Sequence, residues 1–136
     1  MKILFKAKAA AIGGRAGHAK LDDGSLELDI AMPGSGRKGI SPEQLFAMGY
    51  AACFDNAILH LARTKKIALA SSKTSAEVGL GLLETGGFKL DVDLHVEIGG
   101  LPQDQAEHLV AEAHEICPYS NATRNNIEVR LHVTAV

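Results

Sequence analysis

The sequence predicts an α+β fold, with mainly antiparallel sheets around one long buried central helix, in a single domain over residues 1–136. Three features predict it. Residues 88–98, FKLDVDLHVEI, alternate over a full strand, with Phe88, Leu90, Val92, Leu94, Val96 and Ile98 on one face. Residues 45–62, LFAMGYAACFDNAILHLA, are apolar on most of a helix circumference, so protein should surround them on nearly all sides. The elements run βββ-α-ββ-α-β, without the regular βαβ alternation of a parallel sheet. At 136 residues the chain is long enough to bury a core without disulfide or metal staples.

Residues 2–12 partly alternate and read as a strand, followed by the turn Gly13-Gly14-Arg15-Ala16-Gly17. A short extended stretch, residues 18–21, leads through the hairpin signal Asp22-Asp23-Gly24 into the alternation of residues 26–31, which completes an antiparallel meander. Residues 32–40, MPGSGRKGI, are a loop. Ser41-Pro42-Glu43-Gln44 starts the long helix: Ser caps, Pro suits the first helical position, and Gln completes a capping box. The helix should run to about Arg63 or Lys66. Residues 74–84 and 88–98 form a long hairpin around Thr85-Gly86-Gly87. Residues 103–116 place Ala106, Leu109, Val110, Ala113 and Ile116 at helical spacing, and Pro118 stops that helix. Residues 127–133 alternate again and close a sheet.

Composition excludes several classes. A net charge of −2 gives no basic footprint for nucleic acid and no polybasic face for lipid. With no Trp, two Tyr and four Phe, a base-stacking platform is not expected. Lys2, Lys6 and Lys8 interrupt the apolar N-terminus, so no signal-peptide core forms. Asp55, Asn56 and His60 inside the long helix argue for a core helix and against a membrane span. A cytoplasmic location is therefore expected, where paired thiols are more often catalytic or sensing than structural. Six histidines invite a metal, but no complete ligand set has a recognised spacing, and none is expected.

The chemistry rests on two cysteines. Cys53 sits mid-helix in Tyr50-Ala51-Ala52-Cys53-Phe54, and Cys117 follows the amphipathic helix in Ile116-Cys117-Pro118-Tyr119-Ser120. Their separation fits neither a CxxC turn nor a zinc knuckle. Taken alone, Cys53 reads more readily as a small buried hydrophobe than as a reactive thiol. A reactive thiol needs a cation or dipole to lower its pKa. Within its helix Cys53 has only Asp55 nearby, which either raises its pKa or turns to a polar partner elsewhere. The cation must then come from another segment, and Arg15, Arg37 and Arg124 are the candidates. Glu43 in a first helical turn is already explained by the helix dipole. Tyr50, Phe46 and Phe54 read as core, and Tyr119 as packing, with a hydrogen bond near the site as its alternative.

Four segments in order carry a resemblance: Gly13-Gly14-Arg15, Pro42-Glu43-Gln44-Leu45-Phe46-Ala47, Gly49-Tyr50-Ala51-Ala52-Cys53-Phe54, and Cys117-Pro118-Tyr119-Ser120-Asn121-Ala122-Thr123-Arg124. Together they resemble the organic hydroperoxide resistance (Ohr) proteins of the OsmC-like superfamily, from Gly13 to the last strand. The resemblance implies an intertwined homodimer with two active sites near the interface. It implies a cysteine-based peroxidase that reduces organic hydroperoxides, fatty-acid hydroperoxides included, to alcohols. Cys53 would be the peroxidatic cysteine and Cys117 the resolving one. Arg15 would activate the thiolate and orient the peroxide, and Glu43 would hold Arg15. No bound cofactor is implied; a lipoylated protein or small dihydrolipoyl-type dithiol would regenerate the thiols. Asp55 and the loop of residues 33–40 depart from the family pattern. Two other classes stay open on the residues alone: a redox sensor that uses the same pair without turnover, and an apolar-ligand module with inert thiols.

Overall fold

The computed structural model describes residues 1–136, which form two compact units, residues 1–45 and 46–136, with the boundary inside the long helix. The first unit is a meander of β1 (Ala9–Ile12), β2 (His18–Leu21) and β3 (Glu27–Asp29), paired antiparallel in that order. β1 is shorter than residues 2–12, because β2 gives it only four partners before the chain turns at Asp22. One turn of 3₁₀ helix, Gly14–Ala16, joins β1 to β2. A Cβ on Gly17 would lie 1.8 Å from the Ile12 carbonyl oxygen, so this return of the chain admits no other residue. Ile30 and Ile40 form a parallel bridge that closes the glycine-rich loop between them. The unit buries little: Ile30, Ala31 and Ser41 are its only buried residues.

The long helix α1 spans Pro42–Thr64. Its capping box forms as the sequence predicts. The Gln44 N–H donates to Ser41 Oγ at 3.2 Å, and the Ser41 N–H donates to Gln44 Oε1 at 2.8 Å. At the other end Lys66 adopts a left-handed φ of 57°, and the Ile67 N–H donates to the Ala62 carbonyl.

In the second unit β4 (Ser71–Leu82) and β5 (Phe88–Gly99) make the long antiparallel hairpin. Then come α2 (Gln103–Ile116), α3 (Pro118–Thr123) and β6 (Val129–Ala135). The sheet order is β4-β5-β6, and β5 pairs with β6 in parallel. Alternation shows that a strand is half-buried but not its direction. The α2–α3 crossover is what permits the parallel pairing. Gln103, at the start of α2, covers part of the β6 edge: its Nε2 donates to the Val133 carbonyl, and its Oε1 accepts from the Ala135 N–H.

The core unites one stripe of α1 with Val92, Leu94, Val96 and Ile98 of β5 and with Ala106, Leu109, Val110 and Ala113 of α2. The α1 stripe is Tyr50, Phe54, Ala57, Ile58 and Ala62, which lie on one helical face. The sequence predicts burial around nearly the whole circumference; within one chain only this stripe is buried, and Met48 and Leu59 are exposed. α1 is long and apolar enough to cross a membrane, but it contributes its stripe to this core. α3 is absent from the sequence reading. Pro118 both ends α2 and occupies the first position of the next helix, whose six residues are too few to show a period.

Candidate active site

Cys53 lies mid-way along α1. Cys117 sits at the joint of α2 and α3, ending one helix and preceding the other. The fold brings them together, with the two Sγ atoms 3.8 Å apart and both thiols free. Cys117 is fully buried, whereas Cys53 is partly exposed and lines a shallow recess with Asn56, His60, Ile116 and Pro118. Burial pushes the Cys53 thiol up from its ordinary value. The backbone N–H of Tyr119, at the start of α3, opposes that push, and Cys117 adds to it.

Arg15 and Glu43 also meet, within the first unit. Arg15 extends from the 3₁₀ turn, and Glu43 stands in the first turn of α1. Arg15 Nη1 donates to Glu43 Oε2 at 2.8 Å, and Nη2 donates to Oε1 at 2.5 Å, a bidentate fork. The guanidinium holds the Glu43 carboxyl below the usual range. The other two candidate arginines are committed elsewhere. Arg37 Nη2 donates to the Ala16 carbonyl at 2.7 Å, bracing the turn that carries Arg15. Arg124 Nη2 donates to the His114 carbonyl at 2.6 Å, and its Nη1 donates to Asn121. Asp55 turns to a polar partner: its Oδ1 accepts from Ser72 Oγ at 2.7 Å and from Thr74 Oγ1 at 3.3 Å, both on β4.

A buried polar cluster beside the thiols escapes the sequence reading. The Tyr50 hydroxyl lies 3.0 Å from Ser120 Oγ and 3.2 Å from Thr123 Oγ1, and Ser120 Oγ lies 2.8 Å from His114 Nδ1. Tyr50 is core, as its context predicts, but its hydroxyl is also an anchor for α3. The signal was a pair of hydroxyls three apart, Ser120 and Thr123, which means little until α3 is known to be a helix. The Tyr119 ring packs on α1 at Gly49, where a Cβ would lie 2.7 Å from its hydroxyl. That packing agrees with the reading of Tyr119.

Burial lowers the His114 pKa from its ordinary value, and the charge of Arg124 adds to this. The folded state therefore resists a proton that the unfolded state accepts. This contribution is complete above about pH 6.5 and is lost as the pH falls from there through the folded pKa. His114→Asn keeps a nitrogen near the Nδ1 position without titrating. Urea melts between pH 7 and 5 should show a shallower loss of stability in the variant; parallel curves would remove His114 from the pH dependence.

The OsmC-like protein family matches residues 34–132. The organic hydroperoxide resistance protein OhrB of Bacillus subtilis is 48% identical over 134 residues, covering 96% of this chain and 98% of that one. The crystal structure of an organic hydroperoxide resistance protein from Legionella pneumophila superimposes with a TM-score of 0.94 at 51% identity, covering 98% and 99% of the two chains. A second structure, from Vibrio cholerae, is described as a putative organic hydroperoxide resistance protein with captopril bound in one of its active sites. Its TM-score is 0.92 at 47% identity, covering 98% and 94%.

An α+β fold that holds two free thiols within closing distance, one buried and one reachable, has the makings of a dithiol–disulfide redox protein. Its sequence and its backbone agree on which: the chain belongs to the OsmC-like family, among the organic hydroperoxide resistance proteins.

Proposed function

We propose that this protein is a thiol-dependent peroxidase that reduces organic hydroperoxides to alcohols. The observation that carries the reading is the pair of free thiols 3.8 Å apart, with Cys53 reachable and Cys117 enclosed. The relatives named for organic hydroperoxide resistance support the substrate class.

The Cys53 thiolate attacks the distal oxygen of the peroxide. The O–O bond breaks, the alkoxide leaves and takes a proton, and Cys53 becomes a sulfenic acid. Cys117 then attacks the Cys53 sulfur, water leaves, and the sulfurs close from 3.8 Å to the roughly 2.05 Å of a disulfide. A dithiol of the lipoyl type, free or protein-bound, reopens the bond by two exchanges and is itself oxidised. The sum is one peroxide and one dithiol converted to one alcohol, one water and one external disulfide. Captopril is itself a thiol, so its place in a relative's active site supports a thiol co-substrate.

Arg15 is assigned as the cation for the thiolate and the leaving oxygen. Its planar fork suits two partners at once, and Glu43 fixes its plane. Homodimerisation, with active sites near the interface, is supported by residues 1–45, which bury only three residues and leave Ile12 and Leu26 exposed. A dithiol-recycled pair fits the reducing cytoplasm.

The test is consumption of tert-butyl or cumene hydroperoxide by purified protein with excess dihydrolipoamide. Many turnovers per thiol pair, with the alcohol as product, are expected. A disulfide without turnover would replace the peroxidase by a redox sensor. Neither turnover nor disulfide would sink both.

A further inference from the structure

We propose that His114, Ser120, Tyr50 and Thr123 are positioning residues, a buried hydrogen-bond chain that holds α3, whose first residue Pro118 lines the same recess as Cys53, in place beside the Cys53 sulfur. The inference rests on the peroxidase reading of the thiol pair and adds to it the part that keeps the sulfur in place for attack.

α3 has six residues, too few to be stable alone. Something must fix it, because it carries the Tyr119 N–H and directly follows Cys117. Tyr50 and Ser120 are fully buried and Thr123 nearly so, yet no buried side-chain N or O atom lacks a partner. The chain can be given a direction. The Thr123 hydroxyl donates to the Ser120 carbonyl at 3.2 Å, so its oxygen accepts from Tyr50. With its proton used on Thr123, the Tyr50 oxygen accepts from Ser120, and Ser120 accepts from His114 Nδ1–H. Every hydroxyl donates once and accepts once. The lowered pKa of His114 agrees with a neutral ring carrying its proton on Nδ1.

The consequence is geometric. Tyr50 ties α3 to the same helix that bears Cys53, one turn before it, and His114 ties α3 to α2 one turn before Cys117. Donor and sulfur are thus referenced to one another through side chains that touch neither peroxide nor sulfur. A network serving stability alone would change the melting temperature and leave the titration of Cys53 where it was.

The experiment follows alkylation of Cys53 by iodoacetamide against pH in the full-length protein, reading the modified peptide by mass. Peroxide consumption is measured in parallel. Tyr50→Phe, Ser120→Ala and Thr123→Val should each move the thiolate titration upward. About tenfold slower alkylation at neutral pH corresponds to one pH unit. Thr123→Ser restores the hydroxyl and should restore the wild-type curve. Folded Tyr50→Phe and Thr123→Val proteins that titrate as wild type would overturn the inference. Should Tyr50→Phe fail to fold, the Thr123→Val and Thr123→Ser pair decides alone. A wild-type protein that consumes no peroxide, while the variants still shift the titration, would overturn the peroxidase reading and support the positioning role.

Discussion

Cys53→Ser is expected to lower peroxide consumption by about a thousandfold or more, to the rate of the buffer with dithiol. The reason is ionisation. A few per cent of an ordinary cysteine is thiolate at neutral pH, whereas a serine hydroxyl has no comparable anion. The substitution exchanges one sulfur for oxygen in a partly exposed position, so the fold should persist. Initial rates with tert-butyl hydroperoxide and excess dihydrolipoamide, beside a circular dichroism spectrum, make the measurement. Cys117→Ser is the informative companion. Its Cys53 should be oxidised once and then accumulate the sulfenic and sulfinic acids that a resolving thiol prevents. Full turnover in Cys53→Ser would move the nucleophile elsewhere and end the mechanism.

Arg15→Ala should slow peroxide attack by roughly a hundred- to a thousandfold, the range seen when one pre-organised electrostatic donor is removed. The effect is large because burial favours the neutral Cys53 thiol, leaving the Tyr119 amide as the only group in its own unit found to oppose it. Arg15→Lys should recover only part of the rate, because an ammonium is a point charge without a planar fork. Stability should fall modestly: the Arg15 side chain is 44% exposed, but its loss leaves the Glu43 carboxylate, 12% exposed, without its partner. Stopped-flow oxidation by an alkyl hydroperoxide, with urea melts as control, separates the two. A folded Arg15→Ala protein reacting at the wild-type rate would remove Arg15 from the mechanism.

The sequence carried much of this. The capping box at Ser41–Gln44 placed the start of α1 to the residue, and period-two alternation placed β5. Both are local signals, set by neighbours a few positions away. The resemblance to the Ohr proteins picked out Cys53, Cys117, Arg15 and Glu43, and the structure brings these together as two pairs. The direction of β6 and the existence of α3 were not legible, because both depend on partners far along the chain. The exposed flank of α1 is a related case: apolar pattern reports a preference for burial, not which surface supplies it. The role of Asp55 was also undecidable locally, since Ser72 and Thr74 lie 17 and 19 positions away. The hydroxyls of Ser120 and Thr123 looked ordinary because their partner Tyr50 is 70 and 73 positions distant.

Cys117 belongs to the crossover between the parallel strands β5 and β6, and β6 follows it in the chain. The β4–β5 hairpin pairs neighbouring residues, whereas β6 can pair with β5 only across the whole crossover between them. The 3.8 Å between the two sulfurs is thus a property of the whole second unit: it joins residues 64 positions apart, and the strand that closes the sheet follows them both.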